Sequence, residues 1–506
     1  MSYARLIWGA VALIWQGLPA LMALLGFLLF STKPLLGVIT ASIWAISTVL
    51  VKQAILLLLP PSTSHGSARF ADYEDLVRAK LFARKGIILG RKRGRMIRYK
   101  GDGHLLTFAP TRSGKGVGCV IPNLLSWSGS VVVTDIKGEN IAIAGRYRES
   151  LGQVYELAPF KEAYNPTCYN PFDFIRVGSS YEVDDTRLIS EMLVISERAE
   201  PNHWEREART LITGLILYIM HEGNVLTQNP SRLREILMAD EEGFELYIAT
   251  MMAHEHPVIS RIACGFSQKA EKERSGVVST AQGATEVFES PLLSKITSNS
   301  SFCLSELKEK TVSLFLVIPP EYLDTYRPYL RLMIGLCTAT MTRQTTRPEH
   351  EVLFLLDELP ALGYMRPIEE GIGYLAGYKA KLWLFVQDLD QLQHTYPKAR
   401  SIIANCAVRQ AFNVQDPQTA RLLSEMMGTT TIKLKSAGST GKLPIRLMSG
   451  SYQSSIHEGS RELMTPAEVM AMNKRLQLLF VQGIPPIKAK KIRYFDWSEW
   501  RFWRKY

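Results

Sequence analysis

The segment Ala109-Pro-Thr-Arg-Ser-Gly114-Lys115-Gly116-Val-Gly118 follows a short apolar run that ends at Phe108. An apolar strand, a loop with this glycine-lysine spacing and a following helix are typical of a P-loop. In such a loop backbone amides surround phosphate oxygens and the lysine neutralises their charge. The segment therefore predicts an α/β nucleotide-binding fold. The residues predicted to bind the nucleotide are Thr111, Arg112, Ser113, Gly114, Lys115, Gly116 and Val117.

Two positions of this loop depart from the usual P-loop pattern. Ala109 stands where the first glycine is usual. Gly116 stands where a serine or threonine hydroxyl would bind Mg²⁺. Because of these departures, the prediction of nucleotide binding depends on support from the rest of the chain.

That support comes from two later apolar runs that end in polar residues. The run from Val352 to Leu356 ends in Asp357 and Glu358, and a second run ends in Gln387. A helix cap would explain one of the acids, but not an apolar strand that ends in both. We expect Asp357 to hold Mg²⁺, Glu358 to polarise the attacking water, and Gln387 to sense the γ-phosphate or orient water. The predicted catalytic residues are thus Lys115, Glu358 and Gln387.

Apolar runs that alternate with helical periods recur through the chain and indicate a mostly parallel sheet. The expected strands are Val131 to Thr134, Val154 to Leu157, Val312 to Ile318, Val352 to Leu356, Leu382 to Val386, Gln410 to Val414 and Leu476 to Val481. Neither a guanine-specific NKxD motif nor the LSGGQ signature of transporter ATPases occurs. By elimination, the expected base is adenine.

The N-terminal 60 residues are nearly continuous apolar sequence. Residues 6–30 and 35–59 are each long enough to cross a bilayer of roughly 30 Å as a helix. Only a short segment with Lys33 and Pro34 separates them, which predicts a transmembrane hairpin. Eleven Lys and Arg against three acids between Arg69 and Lys100 place the following segment in the cytoplasm by the positive-inside rule.

The net charge and the cysteine pattern indicate which partners and which redox compartment to expect. The net charge of +11 favours nucleic acid or anionic lipid as a partner. None of the six cysteines forms a CxxC pair, which indicates reduced thiols in a cytosol. The cluster His254-Glu255-His256 is compatible with a metal site, but the adjacent Pro257 favours a loop.

On these residues the chain resembles the TraG-type type IV coupling proteins of conjugation and type IV secretion. The resemblance covers essentially the whole chain and includes the N-terminal apolar hairpin. Its motifs are His65-Gly-Ser-Ala-Arg69, the Ala109–Gly118 loop with its hydroxyl-free Gly116, Asp135-Ile-Lys-Gly-Glu139, Tyr169-Asn-Pro-Phe172, Asp357-Glu358, and Gln387 followed by Gln391-Leu392.

The resemblance implies an inner-membrane ATPase with a RecA-like motor, which uses ATP and Mg²⁺ and assembles as a homo-hexamer around a channel. It implies recruitment of a relaxase–DNA complex or a secreted effector, contact with single-stranded DNA, and delivery to the components of a type IV secretion channel. Some relatives carry an arginine finger shortly before the position of Gln387. The matching stretch here has no arginine, which leaves Lys379, Lys381 or Arg409 as candidates.

The expected organisation has five parts. They are a transmembrane hairpin (1–60), the first part of the nucleotide-binding domain (61–183), an inserted all-α substrate-recognition domain (184–296), the second part of the nucleotide-binding domain (297–485) and a basic-aromatic tail (486–506). A loop as long as the insert would be improbable without its own structure, and its clearest helical pattern runs from Trp204 to Tyr218.

Three segments leave alternatives open. Lys269, Lys272 and Arg274 fit a DNA contact or a solvated helix face. Residues 429–460 fit a flexible loop, a small hairpin or a channel-facing contact, and the aromatic-cationic tail fits base stacking, docking or packing onto the motor. Two other functions also remain, namely a substrate receptor that does not pump and an FtsK-type DNA translocase.

Overall fold

A computed structural model describes residues 39, 42, 63–195, 201–343, 348–440, 451–497 and 500 of the chain. Apart from Ile39 and Ser42, the two expected membrane spans lie outside these described residues. Among the residues that are described, no helix has both the length and the apolar character needed to cross a bilayer.

The chain forms two compact units, one with residues 1–67 and 430–461 and the other with residues 68–429 and 462–506. In the described part of the first unit, Ser67 pairs with Thr430 in an antiparallel bridge. The strands, in chain order, are β1 Ile87–Lys92, β2 Arg95–Tyr99, β3 His104–Phe108, β4 Val131–Thr134, β5 Gln153–Leu157, β6 Val312–Leu316, β7 Val352–Leu356, β8 Ala380–Val386, β9 Cys406–Ala411, β10 Thr429–Thr440, β11 Ser451–Glu462, β12 Leu476–Val481 and β13 Ile487–Lys490.

Eleven of these strands form one sheet in the order β2-β1-β13-β12-β9-β3-β8-β7-β4-β6-β5. The strands from β9 to β5 in this order pair in parallel, whereas β12, β13, β1 and β2 extend the sheet antiparallel at one side. The predicted mostly parallel α/β sheet is therefore confirmed. Strands β10 and β11 pair separately, so the described residues of 429–460 form paired strands, and a channel-facing contact stays a prediction.

The central strands are buried on both faces, because helices cover both sides of a parallel sheet. Every residue of β3, β4, β6, β7 and β8 is buried. Along β8, Leu382 and Leu384 belong to the apolar core on one face, and Trp383 and Phe385 belong to the core on the other. This alternation explains why these strands are continuous apolar runs in the sequence.

The helices surround this sheet and fill the interval between β5 and β6. In chain order they are α1 Tyr73–Arg78, α2 Ile121–Leu124, α3 Glu139–Glu149, α4 Glu182–Leu193, α5 His203–His221, α6 Pro230–Leu237, α7 Glu241–Met252, α8 Pro257–Ser267, α9 Glu271–Thr285, α10 Pro291–Thr297, α11 Glu306–Glu309, α12 Leu323–Arg343, α13 Arg366–Gly371, α14 Leu389–Thr395, α15 Ala399–Asn405, α16 Pro417–Met427 and α17 Pro466–Met470. Helices α4 to α10 make the insert helical.

Side-chain caps define where several of these helices begin. Asn202 and Glu205 form a reciprocal capping box at the start of α5, so the helix expected from Trp204 begins one residue earlier. A second capping box, between Thr465 and Glu468, starts α17 and has Pro466 as its first residue.

Candidate nucleotide-binding site

The strand order brings three chain segments to one edge of the sheet. Strand β8 lies between β3 and β7, and all three are parallel. Their carboxyl ends therefore face the same way, and the P-loop after β3, Asp357 and Glu358 after β7, and Gln387 after β8 come together. Such an edge is where ligands bind in open α/β sheets.

The P-loop backbone has the conformation that its glycine predicts. Gly114 has φ of 92°, and no atom lies within 4 Å of the position that a Cβ would occupy, so its backbone is open to a ligand. The Gly118 amide donates to the Gly114 carbonyl at 2.9 Å. The helical turn over Gly116–Val120 continues directly into α2 and ends the loop. A helix start of this kind favours anions.

The other residues predicted to bind nucleotide differ in exposure. Thr111 and Arg112 are exposed, Val117 is half-buried, and Ser113 and Lys115 are buried. The Ser113 hydroxyl donates to the Pro110 carbonyl at 2.5 Å, which holds the loop closed on itself. The exposed pair can therefore reach a ligand from outside, while Ser113 stabilises the loop itself.

Lys115 reaches both acidic residues that follow β7. Its Nζ lies 2.5 Å from Oε1 of Glu358 and 3.5 Å from Oδ1 of Asp357. The amide nitrogen of Gln387 donates to the other carboxylate oxygen of Glu358 at 3.1 Å. The structure thus brings the three residues predicted to be catalytic into one hydrogen-bonded chain, although their roles stay a prediction.

Asp357 and Glu358 differ in one respect each from ordinary surface acids: Asp357 in the pKa of its carboxyl and Glu358 in its backbone conformation. Burial raises the pKa of the Asp357 carboxyl, and the nearby Lys115 ammonium partly opposes this effect. The Thr134 hydroxyl accepts from the Asp357 amide at 2.7 Å and fixes the end of the strand. Glu358 has φ of 51°, a left-handed conformation that is strained for a residue with a side chain and that occurs often at functional sites.

Two observations indicate that the loop has room for a nucleotide with Mg²⁺. Among the described residues, no atom lies within 4 Å of a Cβ built at Gly116, so there is room where the hydroxyl of a usual P-loop would stand. Asp357 supplies a carboxylate 3.5 Å from Nζ of the P-loop lysine Lys115, and carboxylate oxygen is a preferred ligand of Mg²⁺. These observations fit Asp357 as the residue that would hold the ion.

Sequence reasoning missed one residue that contacts the loop. Lys491 donates from its Nζ to the Ser113 carbonyl at 2.9 Å and to Oδ1 of Asn413 at 3.3 Å. Burial lowers the pKa of the Lys491 ammonium. Lys491 follows Lys490 directly in the sequence, so no pattern distinguishes the lysine that reaches the P-loop from its neighbour.

The structure places the three candidates for the role of an arginine finger. Lys381 is buried at the start of β8, at the opposite end from Gln387, and its Nζ pairs with Glu351 at 2.6 Å. The Lys381 ammonium is therefore already paired within its own chain. Lys379 donates to the Pro348 carbonyl at 2.7 Å, and Arg409 lies within β9.

Comparisons with known proteins agree with this fold and site. The family model described as type IV secretory system conjugative DNA transfer matches residues 69–502. The conjugal transfer protein TraG of Escherichia coli is 31% identical over 489 residues, which cover 85% of this chain and 76% of that relative. Protein VirD4 of Rhizobium rhizogenes is 28% identical and covers 89% of this chain and 69% of that relative.

Solved structures give the same fold. The bacterial conjugative coupling protein TrwBdeltaN70, in its trigonal form with sulphate, has a TM-score of 0.66 at 15% identity and covers 86% of this chain and 95% of that chain. The plasmid coupling protein TrwB in complex with ADP and Mg²⁺ has a TM-score of 0.64 at 16% identity and covers 84% of this chain and 94% of that chain. The α/β fold expected from the resemblance is confirmed. The chain belongs to the type IV secretory system conjugative DNA transfer family.

Proposed function

We propose that this protein is the coupling ATPase of a type IV secretion system, which recruits a substrate and uses ATP hydrolysis to deliver it to the secretion channel. Family membership supports the process, since the matching relatives are conjugal transfer and VirD4 proteins. The observation that carries the ATPase activity is the chain of contacts from Lys115 through Glu358 to Gln387.

These contacts describe a site that nucleotide would rearrange. In the structure the Lys115 ammonium pairs with the Glu358 carboxylate, and this pairing opposes the action of that carboxylate as a base. Phosphate oxygens compete for the same ammonium, and the helix start at the P-loop attracts them. Once Lys115 turns to phosphate, Glu358 can polarise a water molecule. Gln387 stays bonded to it and transmits the state of the γ-phosphate to α14.

The proposed cofactor of this reaction is Mg²⁺, held by Asp357, whose carboxylate lies 3.5 Å from Nζ of Lys115. When bound, the ion would neutralise charge on the β- and γ-phosphates. Burial disfavours the charged form of Asp357, and a divalent cation at the carboxylate would favour it. TrwB in complex with ADP and Mg²⁺ supports this assignment by analogy.

We further propose an inner-membrane protein anchored by residues 6–30 and 35–59, which assembles as a homo-hexamer with the motor in the cytoplasm. The proposed partners are a relaxase–DNA complex or a secreted effector, single-stranded DNA, and components of the secretion channel. The supporting features are the apolar N-terminus, the net charge of +11 and the family. The other two functions considered, a non-pumping receptor and an FtsK-type translocase, gain no specific support from the site.

The experiment that tests this function compares variants of the full chain for ATP turnover and nucleotide binding. Lys115→Ala should lose most nucleotide affinity. Glu358→Gln should bind ATP but turn it over roughly 10²- to 10⁴-fold more slowly, the usual loss for a positioned general base. This corresponds to roughly 3 to 5 kcal/mol at the barrier.

The matched control is Glu349→Gln, since Glu349 is exposed and lies nine residues earlier in the chain. It should keep wild-type turnover. Wild-type turnover in Glu358→Gln would contradict the role of that carboxylate. Turnover without any stimulation by single-stranded DNA or relaxase–DNA complex would contradict the coupling to substrate.

A further inference from the structure

Three potential metal ligands meet in the helical insert, away from the nucleotide site. Glu182 is the first residue of α4, His221 is the last residue of α5, and His256 caps the start of α8. One ligand atom from each of the three lies within 4.8 Å of the others. Since the three residues belong to different helices, tertiary packing of the insert alone brings them together.

The distances between these atoms suit a small divalent ion. Nε2 of His256 lies 2.9 Å from one oxygen of the Glu182 carboxylate, and Nε2 of His221 lies 3.5 Å from the other. Ligands about 2.0 to 2.1 Å from a tetrahedral zinc ion are about 3.3 Å apart. These two distances end on different oxygens of one carboxylate and lie close to that length. The 3.5 Å separation exceeds the usual hydrogen-bond length, so His221 and the carboxylate are near each other without a normal hydrogen bond between these two atoms.

Neighbouring groups orient the three potential ligands, which remain partly accessible to solvent. The side chains of Glu182, His256 and His221 are 9%, 17% and 27% exposed, so the site has one side open to water. The Gly178 amide donates to the Glu182 carboxylate at 2.7 Å and orients it, as partners of metal ligands commonly do. An ion could enter from the open side and keep a water molecule as its fourth ligand.

From this geometry we propose that Glu182, His221 and His256 bind a divalent transition metal ion of the zinc class, which cross-links α4, α5 and α8. Two imidazole nitrogens and one carboxylate are a donor set that zinc accepts, with water in the remaining position. Binding displaces the proton that Nε2 of His256 donates to Glu182. The His256 ring then carries its proton on Nδ1. The Val258 amide therefore loses the 3.3 Å hydrogen bond that Nδ1 accepts.

The probe for this site is Co²⁺ alone, added to the nucleotide-free full chain and followed by its visible absorption. Wild type should bind one equivalent in a site with nitrogen and oxygen ligands, and Zn²⁺ should displace it. His221→Gln should weaken Co²⁺ binding by at least tenfold, because even the outer partners of metal ligands contribute roughly 10- to 100-fold. His256→Asn should do the same, and it retains a residue that caps helices well.

Two controls separate this site from other sources of binding. Asp357→Asn removes the carboxylate proposed to hold Mg²⁺ and should leave the Co²⁺ spectrum unchanged. His203→Gln removes an exposed histidine of the same insert and should also leave it unchanged. Zn²⁺ should raise the melting temperature of wild type but not of His221→Gln. Equal Co²⁺ affinity in wild type, His221→Gln and His256→Asn would overturn the proposal, as would loss of the spectrum in Asp357→Asn.

Discussion

At the scale of single residues, two glycines of the P-loop illustrate opposite requirements. Gly116 has no atom within 4 Å of a built Cβ, whereas a Cβ at Gly118 would lie 2.8 Å from the Ile492 carbonyl oxygen. The glycine at position 116 is therefore not required for packing, and the space above it remains available to a ligand. The glycine at position 118 is required because the C-terminal segment lies directly against the loop.

We expect Gly116→Ala and Gly118→Ala to differ in sign. Alanine in a helix gains up to about 1 kcal/mol over glycine, so Gly116→Ala should leave the nucleotide-free protein as stable or slightly more stable. Overpacking costs about 1 to 3 kcal/mol, so Gly118→Ala should lower the melting temperature. Thermal unfolding of both variants without nucleotide is the measurement. Equal melting temperatures would show that the Ile492 backbone moves aside freely.

Lys491 gives a second prediction at this scale, because it holds the P-loop backbone through the Ser113 carbonyl. Lys491→Met keeps the aliphatic stem but removes the donor. Since a hydrogen bond contributes about 1 kcal/mol, the KM for ATP should rise roughly fivefold. Lys490→Met is the matched control, because Lys490 is adjacent and exposed. A wild-type KM in both variants would show that the hydrogen bond from Lys491 does not contribute to ATP binding.

At the scale of elements, the insert is joined to the long helix α12 by a buried ion-pair network. Asp185 on α4 is 6% exposed, pairs with Arg176 at 2.9 Å and also pairs with Arg343 at the end of α12. Burial alone would raise the pKa of Asp185, but hydrogen bonds from both arginines outweigh it, so the pKa lies below its ordinary value. The neighbouring Asp184 side chain is 74% exposed, and its Oδ1 lies 3.9 Å from Nη1 of Arg187, which is a long and solvent-exposed ion pair.

Removing the charge of Asp185 or of Asp184 should change the free energy of unfolding by different amounts. Asp185→Asn should lower the free energy of unfolding by about 3 kcal/mol, the low end for breaking a buried pair, since Arg176 is itself 41% exposed. Asp184→Asn should change it by less than about 0.5 kcal/mol. A carboxyl with a lowered pKa stabilises the fold above its unfolded pKa of about 3.9, and this stability is lost as pH falls through the folded value.

The measurement is urea unfolding of both variants at neutral pH and again below about pH 4. The difference between wild type and Asp185→Asn should be full at neutral pH and shrink on acidification. A difference that does not depend on pH would mean that Asp185 acts through packing rather than through its charge.

Sequence reasoning succeeded where an element has a local cause. Apolar runs located β4 and β7 to the residue, because strands buried on both faces leave a nearly continuous apolar run in the sequence. The expected bounds of β12 also match, although Gln477 interrupts its apolar run. Sequence reasoning failed for the strand expected at Gln410 to Val414, which instead runs over Cys406–Ala411. Asn413 has φ of 55°, so the buried residues around it belong to a turn rather than to a strand. The residues quoted for the P-loop, Asp357, Glu358 and Gln387 meet as expected, but Lys491 and the Glu182 cluster depend on tertiary packing that no spacing reveals.

At the scale of the whole molecule, the described part of the C-terminal segment completes the motor. Strand β13 extends the main sheet, and Ile492 and Trp500 are buried in the core on one of its faces. The same face contains Val120 of the helix that follows the P-loop. Strand β13, Ile492 and Trp500 therefore pack onto the sheet, while residues 498–499 and 501–506 of the aromatic-cationic tail lie outside the described residues. The insert remains the region proposed for substrate recognition.

Two of the three insert cations that fitted a DNA contact, Lys269 and Arg274, are paired with acids of the insert, whereas Lys272 is exposed. Lys269 pairs with Glu207 and Glu273, and Arg274 pairs with Glu245, so these cations are neutralised within the insert. Phosphate contacts need free lysines and arginines. We therefore expect the insert to select the cargo through protein contacts with a relaxase or an effector.

A chimera tests this division between motor and insert. Residues 184–296 should be replaced by the same region of a relative with a different cargo, with Asp185 retained so that its pairs with Arg176 and Arg343 survive. Because the nucleotide site lies wholly outside the exchanged region, basal ATPase activity should persist while the transferred cargo changes to that of the donor. The measurement is cargo transfer by cells that carry the chimera, with the reciprocal exchange as its control. If both chimeras keep the cargo of their own motor, recognition lies outside the insert, and the aromatic-cationic end of the chain becomes the next region to exchange.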